Sequence, residues 1–289
     1  MPIPRNIHMT YMGQLSCHGG YVLCNQMSAV DEMRPLFYDH ILGVKDVISG
    51  NTKSQGSGGG GDVNIQKKIF RYSMALPKGS ASGPVDGLGT CAKLMAHAAK
   101  ATSQGVAFIF WGGTSAATST ISNAVVASMT LNVPAPGTAS YSAEFVGSGF
   151  SYATGASTDR TCDKLLTWDN CAVELESVTS QSVMSFSISV RNAVIPIYTA
   201  SRTDYPHPYR LRLGMQEVSG SITYYDPTGS VGVSPGLTPL KLMFNLGGNE
   251  FRLKVVPTPS TYAGSTGPFT STVNFTGAND TAVWTLLPS

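Results

Sequence analysis

The first residues in this chain that could do chemistry are two carboxylates. In the stretch CAVELESV, Glu174 and Glu176 fall on one face of a strand and Val173 and Leu175 on the other. A pair spaced this way can serve a glycosidase, one group as acid and the other as base or nucleophile. It can equally coat a wall with negative charge, and acidic side chains are mostly solvated. A sugar cleft also needs aromatic platforms. Of Trp111, Trp168 and Trp284, only Trp168 is near the pair in sequence.

Other chemistry finds less support. The histidines are His8, His18, His40, His97 and His207, and none forms an i, i+4 metal pair. CHGGYVLC sets Cys17, His18 and Cys24 close together, but no second pair of ligands follows at a zinc spacing. The run Gly58 to Gly61 lacks the Lys-Ser/Thr of a phosphate loop. GSGFSYATG has no strand-turn-helix context for a nucleophile elbow. In YRLRL, Arg210 and Arg212 share one face while Tyr209, Leu211 and Leu213 share the other, the pattern of a half-buried strand. No catalytic set, metal site or cofactor is expected.

Composition directs attention to the surface. Charged residues make up 12% of the 289, about half the roughly 25% of ordinary soluble domains. Ser, Thr and 31 glycines fill the gap. A net charge of +2 gives no field that steers the chain to nucleic acid or an acidic membrane. So uncharged a surface points to one covered by copies of itself. No segment reaches the roughly 18 apolar residues of a membrane span. The start, MPIPRNIHMTYMG, lacks the apolar core of a secretory leader, so synthesis and folding in the cytoplasm of the producer are expected. Five cysteines (17, 24, 91, 162 and 171) then read as free, mostly buried thiols.

The elements that must carry these residues are mainly β. Short, evenly spaced apolar runs separated by Gly, Pro, Asn and Ser predict a β-sandwich or barrel of two packed sheets. One flanking α-helix is predicted over about residues 87–103. There Leu88, Cys91, Leu94, Met95 and Ala98 form a stripe, with Asp86 placed to cap it. Long loops complete the expectation. Residues 50–62 read as a flexible loop, and GGTSAATSTISN (residues 112–123) as a loop-like boundary.

The stretch QEVSGSITYY poses a question of its own. Val218, Gly220, Ile222 and Tyr224 alternate with Ser219, Ser221, Thr223 and Tyr225, so one face is packed and the other is neutral and rich in hydroxyls. The larger run VMSFSISVRNAVIPIYTASRTDYPHPYRLRLGMQEVSGSITYYD resembles the C-terminal half of the tail tube (major tail) proteins of tailed bacteriophages. Asn192, Pro196, Tyr198, Gly214, Glu217, Val218, Gly220 and Ser221 carry the match. The helix after LPKGSASGPVDGLG fits the short amphipathic helix of that family.

The resemblance implies a single tail-tube-like β domain over 1–289, with an N-terminal extension and loop (1–62) and a C-terminal β extension (227–289). It implies a structural virion protein, not an enzyme. Six copies would close into rings that stack as the conduit for DNA ejection. Partners would be further copies, the tape measure and terminator proteins, a sheath where one exists, and DNA passing without sequence specificity. In that setting Glu174 and Glu176 become candidates for the lumen. Glu217, Val218, Gly220 and Ile222 become an inter-subunit strand, and Lys53, Gln55, Gly58 and Asp62 an inter-ring loop. Two alternatives stand beside it: another tail or virion β-protein (distal tail, cap or decoration protein), and a β-sandwich glycoside hydrolase.

Overall fold

The computed structural model describes residues 13–17, 20–38, 69–87, 89–100, 103–112, 115–155, 165–175, 182–199, 206–225, 239–246, 248–258, 261–263 and 269–278. In chain order the strands are β1 (Gly13–Cys17), β2 (Gly20–Cys24), β3 (Gln26–Tyr38), β4 (Ile69–Pro84), β5 (Gln104–Gly112), β6 (Ser115–Pro134), β7 (Ser140–Val146) and β8 (Gly149–Gly155). They continue as β9 (Cys171–Leu175), β10 (Ser182–Ile197), β11 (Arg210–Tyr225), β12 (Leu240–Leu246), β13 (Asn249–Pro257), β14 (Thr261–Ala263) and β15 (Thr270–Gly277). Helix α1 (Thr90–Lys100) lies between β4 and β5. The chain is thus mainly β, with packed antiparallel sheets and one α-helix among the described residues.

Strand β6 belongs to both sheets. Its first half pairs with β5 and β8, and its second half with β7 and β10. The change of sheet falls at Asn123, whose φ of 48° is tolerated by Asn better than by most residues. Its side-chain amide donates to Ser148 Oγ at 3.1 Å, which holds the bend. Residues 115–123, expected as a loop, are therefore strand. Pairing on both sides satisfies their backbone, and small neutral side chains suit a strand flanked on two sides.

The smaller sheet runs β2-β1-β5-β6-β8. The larger runs β3-β4-β7-β6-β10-β11-β15-β13-β12-β9. Phe108 of β5 meets Phe145 of β7 edge-on at 5.7 Å, where the smaller sheet packs on the larger. The far part of the larger sheet folds back on itself. Phe186 of β10 lies 6.4 Å from Phe244 of β12, and Phe244 stacks on Phe251 of β13 at 4.7 Å. Residues 1–62 supply β1 to β3 and residues 227–289 supply β12 to β15. Leu15, Val22, Phe244, Phe251 and Phe275 from these two regions share one core cluster.

The helix begins at Thr90 and ends at Lys100, shorter than the expected 87–103. Cys91, Leu94, Met95 and Ala98 are buried, as the stripe requires. Asp86 caps it, with Oδ1 accepting from the Cys91 N–H at 3.0 Å. At the other end two side chains satisfy carbonyls the helix cannot. Asn192 Nδ2 donates to Ala98 O and to Val126 O, both at 2.8 Å, and Gln216 Nε2 donates to Ala99 O and Asn192 Oδ1 at 2.8 Å. The helix is thereby tied to β6, β10 and β11.

Burial is the main force on Asp86 and raises its pKa, against lowering by the helix N–H groups it caps. Its Oδ2 is buried with no partner. The folded chain therefore holds this proton more tightly than the unfolded one. Its stabilising effect is complete below the unfolded value near pH 4 and is lost as pH rises through the higher folded value. Asp86→Asn keeps a capping oxygen and cannot ionise. It is expected to melt higher than the parent at pH 7, with the gap closing below about pH 4. Asp86→Ala, which loses the cap, should be less stable by about 1 kcal/mol. Thermal melts at pH 3.5 and 7 check both.

Candidate functional surface

The outward side of the larger sheet holds a block of cross-strand rows that is largely neutral, with Lys78, Glu32, Arg210 and Arg212 on the same side beyond it. Register places Gln26, Ser82, Ser142, Thr130, Ser189, Ser219 and Thr276 in a single row across β3, β4, β7, β6, β10, β11 and β15. A second row reads Pro84, Ser140, Asn132, Ser187, Ser221, Asn274. A third reads Pro134, Ser185, Thr223, Thr272, Thr261. The fourth, Ser28, Ser80, Glu144, Ser128, Arg191, Glu217, holds the only charges of the four rows. At about 4.8 Å between strands, seven strands span roughly 30 Å.

The rows are knitted by side-chain hydrogen bonds. Hydroxyl pairs form between Ser28 and Ser80 at 2.8 Å, and at 3.1 Å between Thr130 and Ser189, Ser187 and Ser221, and Thr223 and Thr272. Ser128 Oγ donates to Glu144 at 2.9 Å. Each such cross-strand pair is worth about 0.2–1 kcal/mol.

Beneath this face the same strands send Met129, Leu131, Phe186, Ile188, Val190, Val218, Ile222, Val273 and Phe275 into the core. Gly220 interrupts that row for a steric reason. It pairs directly with Phe275, whose ring lies across it, and a Cβ there would overlap the ring and the Ser187 carbonyl oxygen. The glycine in the packed face of QEVSGSITYY is thus the seat of an aromatic ring.

The folded-back layer differs. The outward sides of β9, β12 and β13 carry Glu174, Lys241, Glu250, Arg252 and Lys254, with Lys241 and Lys254 directly opposite each other. Glu174 is exposed on the edge strand β9, opposite Met243, in the charged layer and not on the neutral face. Glu176 lies outside the described residues, as do Lys53, Gln55, Gly58 and Asp62. Among the described residues Glu217 and Val218 pair with β10 alone, while Gly220 and Ile222 pair on both sides, with β10 and β15.

YRLRL departs from the expected half-buried strand. Residues 193–197 of β10 and 210–216 of β11 run beyond β6 and β15 as a two-stranded arm, with Tyr209, Ile195, Leu213 and Met215 exposed. Its turn is pinned to the β3–β4 hairpin. The Ala75 N–H donates to Pro206 O at 2.9 Å, Tyr198 Oη donates to Ala75 O at 3.2 Å, and His207 Nε2 lies 2.9 Å from Asp31 Oδ2.

Cys17, Cys24, Cys91 and Cys171 are free thiols; Cys162 lies outside the described residues. Burial pushes the Cys17 thiol up to about 12 and those of Cys24 and Cys171 to about 11, which keeps them protonated and unreactive. Among the described residues no three His, Cys, Asp or Glu converge as a metal cluster, and no helix is long and apolar enough to cross a membrane.

The neutral face was partly legible in QEVSGSITYY. Its extent was not, because strands distant in sequence supply the other rows. No family model matches the chain, and no curated protein matches it.

Gly220→Ala is expected to cost about 1–3 kcal/mol through overpacking against Phe275. Phe275→Leu in the same chain should recover part of that loss. Chemical denaturation of the two variants measures it, and an additive double variant would contradict the stacked geometry.

Proposed function

We propose that this chain is a self-assembling structural subunit of a virion, the tail tube protein of a tailed bacteriophage, whose rings stack into a conduit for DNA. The neutral face spanning seven strands carries this reading. A wall along which a polyanion must slide needs polar groups to stay wetted. It must also lack the Lys and Arg contacts to phosphate that hold DNA in place. Three of the four rows have no charge, and the fourth mixes Glu144, Arg191 and Glu217.

Two further observations support it. A chain with 12% charged residues is poorly equipped as a freely dispersed monomer. The residues that carry the tail-tube resemblance also serve architecture. Asn192 ties α1 to two sheet strands, and Gly220 seats Phe275. In this reading Arg191 and the Glu217 opposite it keep the one charged row near neutrality.

Negative-stain microscopy of concentrated protein is the direct test. Hollow tubes of uniform diameter with a regular axial repeat are the expected result. Single rings would move the protein to a cap or distal-tail role, and persistent monomers would contradict self-assembly. The wall chemistry has its own check. Ser187→Lys with Ser221→Lys places two cations per copy on the face. The double variant should retain short duplex DNA, with affinity falling steeply between about 50 and 200 mM salt. The parent should retain little at either concentration. Equal retention by both proteins would overturn the neutral-wall account.

A further inference from the structure

We infer that the His207–Asp31 pair is a proton-operated latch. While the imidazole is charged, it holds the turn of the β10–β11 arm against the β3–β4 hairpin; once the imidazole is neutral, the hold slackens. The latch lies within one chain and does not depend on assembly into tubes.

Asp31 sits where alternation calls for an apolar residue. Ser28, Val30 and Glu32 take the outward side of β3, and Met27, Ala29 and Asp31 take the packed side. Met27 belongs to the core and Ala29 packs against it. The Asp31 side chain is 18% exposed, and its Oδ1 is buried with no hydrogen-bond partner among the described residues. Its Oδ2 meets His207 Nε2 at 2.9 Å, and the imidazole is 20% exposed. Taking the charge off that partner leaves a largely buried carboxylate uncompensated, which is costly. Pro206 and Pro208 flank His207 and narrow the backbone conformations of the turn, so the ring is presented to Asp31 with little ordering left to do.

The hold matters because a two-stranded ribbon is marginal by itself. Beside the ion pair, the Ala75 N–H donates to Pro206 O at 2.9 Å and Tyr198 Oη donates to Ala75 O at 3.2 Å. Imidazole is the side-chain group that ordinarily changes charge between about pH 5 and 8. A charge-assisted hydrogen bond is roughly twice as strong as a neutral one. The protonated ring favours the docked turn, so docking is strongest at acid pH and weakens as pH rises. The other charged and titratable groups on the elements that meet here are Glu32 of β3 and Lys78 of β4, which pair with each other on the outward side, and Tyr198, Tyr209 and Arg210 of the arm and its turn. The side chains of Arg34, Arg71 and Tyr72 lie outside the described residues, as do Arg202, Asp204 and Tyr205 just before the turn.

The test is site-resolved hydrogen exchange on the full-length chain in dilute solution, at about pH 5.5 and about pH 8, corrected for intrinsic rates. The Ala75 amide, which donates to Pro206 O, reads the latch, and the amides of residues 129–133 in β6 read the whole fold. Relative to β6, protection at Ala75 is expected to fall about five- to tenfold from the lower pH to the higher. His207→Gln, which keeps a donor without the charge, should show the low relative protection at both pH values, and Asp31→Asn should do the same. Asp204→Asn should respond as the parent does. Equal relative protection at both pH values in the parent overturns the latch. So does a fall that survives in His207→Gln, or one that disappears in Asp204→Asn. If His207→Gln does not fold, Asp31→Asn supplies the same comparison, and the parent's two measurements still decide.

Discussion

Everything in this fold depends on one strand serving two sheets. β6 satisfies its backbone with β5 and β8 before Asn123 and with β7 and β10 after it. The bend lets one continuous hydrogen-bonded strand turn its apolar side from one packing partner to another. Without that turn the Phe108–Phe145 contact would have no second layer to form against. The helix reinforces the same corner, since Asn192 binds Ala98 O and Val126 O, one on each side of the junction. A buried amide with both protons used is costly to replace, because the Val126 carbonyl would lose this donor and Ala98 O would keep only the longer bond from Gln216 Nε2 at 3.3 Å.

From that corner the large sheet extends in a single register, and register distributes chemistry. Because side chains alternate with a period of two, every residue buried beneath the sheet obliges its neighbours to face outward. The core takes Val, Ile, Leu, Met and Phe. The outward positions of the four rows are mostly Ser, Thr and Asn, and those of the fold-back include Glu174, Lys241, Glu250, Arg252 and Lys254. The folding-over at Phe186 and Phe244 sends these two outward sides away from each other. One molecule therefore has a neutral wall and a charged back.

The edges carry the remaining tension. A sheet this long must end somewhere, and natural edges are usually blunted. Among the described residues β3 pairs with β4 alone, and β11 outruns β15 from Arg210 to Val218. The exposed apolar residues of the arm sit at that overrun, where the core no longer reaches.

The sequence by itself determined the element types and much of the chemistry that is missing. Alternation marked the strands, the 91/94/95/98 spacing marked the helix, and Asp86 was recognisable as its cap, because these signals are local and repeat every two or 3.6 residues. It also showed the neutral outward side of β11 and the puzzle of Gly220. Only the tertiary structure decided which strands lie beside β11, that Phe275 occupies the space over Gly220, and that Glu174 faces away from the hydroxyl rows. It also decided that residues 115–123 are strand and that YRLRL outruns the core. The reason is physical. A side chain's face is set by its own strand, but what that face looks upon is set by pairings between residues as distant as Gly13 and Phe110, and by the succession of pairings that puts Gln26 and Thr276 in one row.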